Sequence, residues 1–390
     1  MISVEAALAQ LFALVRPLGT EIVPLQNAAG RVLRVAVRAE RDQPPFAASS
    51  MDGYAVCGTP QIGAKLQVIG EAAAGHAFHG DLQPGQTVRI LTGAPVPQGT
   101  SRIALQEDVT RDGDAITLIA PFERGTHIRP QALDFQSGDQ ITAPRRLRPV
   151  DLALLAAMNC PNLTVSKRPD VAIIATGDEL VMPGEQPRAD QIIASNAFAL
   201  KALIEAEGGR GRLLPIASDT RESLHAVFDL AEGADLIVTI GGASVGDHDL
   251  VGPVALERGA TRAFYKIAMR PGKPLMAGQM GSSVLVGLSG NPVSSIVCAH
   301  VFVRPVLRAM QGLGAWPLPT AMAELTCELP ANGPRAHFMR AVLGPGPSIT
   351  PMPNQDSALL SVLAQADALL IHNAGDGARR AGTLMRYIAV

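Results

Sequence analysis

The chain has 390 residues, 47% of them apolar, and a formal net charge of -2. That is enough material for two or three domains with buried cores; the low, balanced charge excludes a disordered chain and gives no electrostatic reason to expect nucleic acid or a membrane surface as partner. The 38 glycines and 30 prolines match the 33 Lys plus Arg and 35 Asp plus Glu in number, which excludes a helical bundle and predicts many turns and short strands.

Met1–Arg16 places its apolar residues on one face at helical spacing, with Glu5 early and no basic n-region, and reads as an amphipathic helix rather than a signal peptide. From about residue 21 to 166, short alternating runs (LQVIGEA, TVRILTGA, RIALQEDV, AITLIA) stand between Gly, Pro and Asp turns and predict antiparallel β-structure, with a short helix over Val150–Asn159. From Pro169 the texture changes. DVAIIA (170–175) and DLIVTI (235–240) are strands buried on both faces, and further strands are expected at 212–216, 261–267 and 284–288. Helices are expected at 195–207, 220–232, 249–258 and 293–311. Strands alternating with helices predict βαβ units and a mostly parallel sheet. The charge-free stretch from Pro274 to Val303 is interrupted by Ser, Gly, Asn and Pro and cannot be one membrane span. Residues 312–319 read as a linker to a small tail of alternating segments (AELTCEL, HFMRAVL, GTLMRYIAV). Cys57, Cys160, Cys298 and Cys327 form no C-x-x-C pair, so neither a zinc knuckle nor a disulfide scaffold is expected, and the chain reads as soluble and cytoplasmic.

Ligands of an open parallel sheet bind outside the carboxyl ends of its strands. Thr176-Gly177-Asp178-Glu179 follows the first strand and Gly241-Gly242-Ala243-Ser244-Val245-Gly246-Asp247-His248-Asp249 a later one. Arg270-Pro271-Gly272-Lys273 and Ser289-Gly290-Asn291-Pro292-Val293-Ser294 complete the edge. Singly, each is an ordinary turn or helix start. Together they place carboxylates of the kind that bind Mg²⁺, two cations and helix N-termini at one edge, as suits a phosphorylated ligand or a small oxyanion. No Walker or dinucleotide glycine motif is present.

These segments, with S-S-M-D-G-Y-A-V (49–56) and R-I-L-T-G-A-P-V-P (89–97), occur in one order over most of the chain. In that order they resemble the molybdopterin molybdenumtransferase (MoeA) family, related to the E domain of gephyrin. The resemblance implies a mixed α/β multidomain fold: a three-layer α/β domain with a mostly parallel sheet, β-rich domains and a small C-terminal β-barrel domain. It implies domain I over 21–44 and 137–167, domain II over 45–136, domain III over 1–20 and 168–316, and domain IV over 317–390. The implied reaction is Mg²⁺-dependent cleavage of adenylated molybdopterin, releasing AMP, with insertion of molybdenum from molybdate into the dithiolene. Asp52, Thr92, Asp178, Glu179 and Asp249 are then expected in catalysis. Gly241, Gly242, Ser244, Arg270, Lys273, Asn291, Ser294, Arg340 and Ser357 are expected in substrate binding, and Asp178, Ser244, Asp247 and Asp249 at the metal. A homodimer is implied, with Asp52 and Thr92 reaching the cleft from the second copy, as is contact with the molybdopterin adenylyltransferase. The chain departs from the family pattern at Ala47, Ala48, Leu133, Ala194 and Ser289, and Arg270 replaces a usual lysine. The departures leave a paralogue that binds or delivers molybdenum cofactor as an alternative. The α/β region alone also resembles a Mg²⁺-dependent nucleotide pyrophosphatase.

Overall fold

The computed structural model describes residues 1–122, 124–242 and 250–390. Its centre is a six-stranded sheet in which Arg210–Leu213, Asp170–Ala175, Leu236–Ile240 and Ser283–Leu288 run parallel, followed by Leu275–Met280 antiparallel to them and by Thr261–Tyr265 antiparallel to Leu275–Met280. The apolar runs are continuous because side chains alternate between two cores. Val171, Ile173, Leu236 and Val238 face the helices Val4–Leu14, Asn196–Ala206 and Pro292–Met310, while Ala172, Ile174 and Ile237 face Arg221–Leu230 and Val251–Glu257. Each large aliphatic side chain buried this way contributes about 1.5–3 kcal/mol. Helix starts follow side-chain chemistry: the Ser3 hydroxyl accepts from Ala6 N at 3.1 Å, and Thr220 caps its helix by accepting from Ser223 N at 3.2 Å.

Several expected elements shift. The strand expected at 212–216 is Arg210–Leu213. The charge-free stretch holds a strand that the sequence reading missed, Leu275–Met280, joined to Ser283–Leu288 by the two-residue turn Gly281–Ser282, where Gly281 has φ 59°. Its second half enters Pro292–Met310. Among the described residues this is one helix long and apolar enough to cross a membrane, but 83% of its apolar window is buried within the protein. It widens to a π-turn at Ala299–Val303, just before Pro305, whose missing N–H cannot continue the α-pattern.

In the β-rich part, Gly53–Val56 lies antiparallel between Gln86–Ile90 and Arg102–Leu105. The expectation of wholly antiparallel pairing is corrected there. Lys65–Ala72 runs parallel to Gln86–Ile90, because the intervening excursion carries the chain back to its starting end. RIALQEDV is not one strand either. A 3₁₀ turn at Gln106–Asp108 splits it into Arg102–Leu105 and Val109–Asp112, which form opposite edges of this sheet. Three residues joining opposite edges require the sheet to curl until those edges approach.

The chain leaves and re-enters a smaller four-stranded sheet (Thr20–Pro24, Asn162–Ser166, Val32–Leu33, Arg145–Arg146) through two segments bridged at Gln43 and Phe135. A partly buried ion cluster ties this sheet to the α/β body. The Glu207 carboxylate accepts from Arg146 at 3.1 Å and from Arg304 at 2.7 Å, while its backbone carbonyl accepts from Gln311 at 2.7 Å. In the tail, Ala336–Leu343, Ser348–Pro351, Ala321–Leu325, Leu384–Ala389 and Ala368–His372 pair in a ring that closes a five-stranded barrel. Met269–Arg270 adds to this barrel as a short parallel strand beside Ala336–Leu343. The barrel is thereby sewn to the loop that carries the two candidate cations.

Candidate functional site

The parallel strands end on one edge, as the sequence pattern requires. Beyond Asp170–Ala175, Thr176 N donates to Ile240 O at 2.9 Å and Gly177 N to Ala217 O at 3.0 Å, so the first loop is tied to both neighbours before Asp178. Asp178 Oδ1 accepts from Asp219 N at 3.1 Å. A Cβ at Gly177 would lie 2.3 Å from Glu179 Oε2, which shows the Glu179 carboxylate folded back over this glycine. Among the described residues neither Asp178 nor Glu179 has a cationic side-chain partner. Their charge is therefore left for a ligand.

The next loop leaves its strand through two glycines with positive φ, Gly241 at 95° and Gly242 at 61°. A side chain at Gly241 would strike Thr176 O at 2.6 Å, so the close packing of these two loops demands glycine. Ser244, Asp247, His248 and Asp249 lie outside the described residues.

A cleft of about 560 Å³ opens along this edge, lined by Thr176, Glu179, Ile192, Ser195, Asn196, Ser289, Asn291 and Ala358 among others. Asn196 Nδ2 donates to Gly290 O at 2.8 Å and holds the far wall. Asn291 opens the helix Pro292–Met310 and brings Ser357 beside it: Asn291 Nδ2 reaches Ser357 Oγ at 3.4 Å, and Val293 N donates to Ser357 O at 3.1 Å. Ser294, one step along that helix, is buried.

The loop Arg270–Lys273 rests on the same helix. A Cβ at Gly272, whose φ is 98°, would fall 2.2 Å from Cys298 Sγ. Burial pushes the Cys298 thiol up to about 12, so it serves as packing and not as a nucleophile. Lys273 is exposed, and Arg270, also exposed, donates from Nη2 to Asn332 Oδ1 at 2.9 Å. Arg340 stands differently. It is 1% exposed, and its guanidinium donates to Gln355 Oε1 at 3.2 Å, Asp356 O at 2.8 Å and Asn354 O at 3.3 Å. In this arrangement it shapes the loop carrying Ser357 from beneath. Asp52 and Thr92 occupy the β-rich part, beside a second cleft of about 390 Å³ lined by Gly53, Tyr54, Arg89, Leu91, Gln106 and Glu107. The two clefts share no lining residue.

Sequence reasoning missed Asn332, Asp219 and Gln355. Asn332-Gly333-Pro334 carries a turn signal, but nothing in the sequence pairs it with Arg270.

Residues 2–159 match the model of the MoeA N-terminal region (domain I and II), 172–309 that of a probable molybdopterin binding domain, and 322–390 that of the MoeA C-terminal region (domain IV). The molybdopterin molybdenumtransferase of Nostoc sp. PCC 7120 is 35% identical over 332 residues, covering 82% of this chain and 76% of that protein. The chain belongs to the molybdopterin molybdenumtransferase family. Molybdopterin molybdenumtransferase 2 of Mycobacterium tuberculosis CDC 1551 is likewise 35% identical, over 87% of this chain and 86% of its own. The solved moeA protein of Pyrococcus horikoshii OT3 covers all of both chains with a TM-score of 0.84 at 26% identity. The family matches thus cover most of the chain, and the mixed α/β multidomain fold with its C-terminal barrel is that of these relatives.

Proposed function

We propose that this chain acts in molybdenum cofactor biosynthesis as a molybdopterin molybdenumtransferase. The observation that carries the proposal is the pairing of family membership over 87% of the chain with a sheet edge whose loops carry Asp178 and Glu179, without cationic side-chain partners among the described residues, and the exposed Arg270 and Lys273. Glu179 lines the cleft there, whose lining otherwise includes Asn196 and Asn291. The substrate is adenylated molybdopterin. Water adds across the phosphoanhydride between AMP and the molybdopterin phosphate, releasing AMP and leaving a phosphate monoester, while the two dithiolene sulfurs replace oxygen on molybdate, the displaced oxygen leaving as water with the thiol protons. Gly241 and Gly242 let the backbone approach the phosphates. Arg270 and Lys273 hold the oxyanion, with Asn291, Ser294 and Ser357 as polar neighbours and Arg340 supporting the Ser357 loop.

The chemistry of the donors suits Mg²⁺: among the described residues the Asp178 carboxylate has no cationic side-chain partner, and Ser244, Asp247 and Asp249, outside the described residues, would supply the further hard oxygens. Bound there, Mg²⁺ supplies charge neutralisation to the departing phosphate. Asp52 and Thr92 complete the site from a second copy of the chain, which makes the working unit a homodimer, and the adenylyltransferase hands over its product by contact.

Purified protein given adenylated molybdopterin, molybdate and Mg²⁺ is expected to release AMP and form molybdenum cofactor, with AMP release lost on chelation. Absence of both AMP and cofactor overturns the proposal. Cleavage of ADP-ribose in preference to the pterin would point to a pyrophosphatase instead.

A further inference from the structure

Arg270 is an exposed arginine with one fixed corner. Its Nη2 donates to Asn332 Oδ1 at 2.9 Å. Asn332 is only 8% exposed, and its carboxamide has a single workable orientation. Nδ2 donates to the carbonyls of Arg335, His372 and Asn373 at 2.9, 2.8 and 2.8 Å, three acceptors that an oxygen could not face. Oδ1 is therefore turned toward Arg270, where it also accepts from Gly333 N at 3.0 Å. The backbone reinforces the contact, since Arg270 pairs with His337 in register and Ala336 N donates to Ala268 O at 2.9 Å.

The chemistry of this partner matters. A carboxylate would hold a guanidinium more strongly but would spend its charge. Asn332 is neutral, and among the described residues no carboxylate pairs with Arg270. The guanidinium is thus oriented by a barrel loop, while among the described residues its positive charge is not neutralised.

We infer that Asn332 is a positioning residue that aims Arg270 at a tetrahedral oxyanion without neutralising it. The inference rests on the reading of Arg270 as a molybdate-binding group. It assigns to the barrel a share in anion affinity, exercised through a residue that does not touch the anion.

Molybdate binding to the full-length protein, measured by equilibrium dialysis with thermal stability followed in parallel, tests this. Asn332→Ala is expected to weaken binding roughly tenfold, the equivalent of about 1.4 kcal/mol, and to add nothing in an Arg270→Ala background. Asn332→Asp, which retains an acceptor but adds a charge, is expected to weaken binding as well. Arg270→Lys keeps the charge and loses the Nη2 contact to Asn332, so it gives the same weakening without touching the barrel, which covers the case of an Asn332 variant that fails to fold. Unchanged affinity in Asn332→Ala or Arg270→Lys overturns the inference, and so does an equal loss from Asn332→Ala in the Arg270→Ala background. Wild-type protein that binds no molybdate overturns the molybdenumtransferase reading itself.

Discussion

Thr92 donates both its backbone N–H and its hydroxyl to one oxygen of Asp52, each at 2.7 Å. The two residues come from separate motifs, and the paired bonds hold the carboxylate in one orientation at the rim of the second cleft. The Thr92 hydroxyl, then its N–H, with a smaller part from the Arg89 charge, keeps the Asp52 carboxyl below the usual carboxylate range. Thr92→Val removes only the hydroxyl. The Asp52 titration midpoint, followed by NMR, is expected to rise part of the way toward its ordinary value. A depressed carboxyl contributes stability above its unfolded pKa and loses it as pH falls, so the variant is also expected to lose less on acidification. An unmoved midpoint contradicts the assignment.

Gly241 offers a backbone test of the sheet edge. With φ at 95° and Thr176 O at 2.6 Å from any added Cβ, Gly241→Ala must either strain the turn or part the two loops. The cost is about 1–3 kcal/mol, and AMP release is expected to fall sharply while the far-UV spectrum is kept. Gly58, which has φ 70° and nothing within 4 Å of an added Cβ, is the control: Gly58→Ala should leave AMP release intact.

Arg340 is enclosed with its donors on three acceptors of the 354–356 loop. Arg340→Ala leaves Asn354 O without its donor, removes the guanidinium bonds to Gln355 Oε1 and Asp356 O, and leaves a cavity behind, at roughly 3 kcal/mol or more in denaturant unfolding. Hydrogen exchange is expected to quicken first at Val293 N, whose acceptor is the carbonyl of Ser357. Uniform quickening across the whole barrel would show a wider role.

His337 supplies a pH dependence. Burial first, then the charges of Arg270 and Arg340, lower its pKa from the ordinary 6.5 to about 3. It is neutral when folded and takes a proton below about 6.5 when unfolded. Its contribution to stability is therefore complete above about 6.5 and is lost as pH falls toward 3, by up to about 1.4 kcal/mol per pH unit. His300, lowered to about 4 by burial and then by Arg304, acts with the same sign. His337→Gln should flatten the fall in urea midpoint between pH 7 and 4. An unchanged slope would place the acid sensitivity elsewhere.

The α/β core was legible because burial on both faces writes itself into composition. DVAIIA and DLIVTI could only be central strands, and five of the six residues in Asp170–Ala175 are buried. The strand Leu275–Met280 was not legible. Its Ala, Gly and Met residues carry no alternating signal, and only antiparallel pairing with Ser283–Leu288 makes it a strand. The parallel step between Lys65–Ala72 and Gln86–Ile90 was hidden likewise, because alternation reports which face is buried and not the direction of the neighbour.

For the site the division is similar. By itself the sequence determined which chemical groups stand at the ends of the parallel strands: glycines for close approach, carboxylates, two cations and hydroxyls in a family-specific order. Only the tertiary structure decided what each group is free to do. Arg270 and Arg340 look alike as letters, yet one is exposed and tethered by a neutral amide while the other is enclosed under a loop. Their partners lie on other strands and loops, at separations no local pattern spans. Charge available to a ligand is set by those partners, and they exist only once the chain has folded.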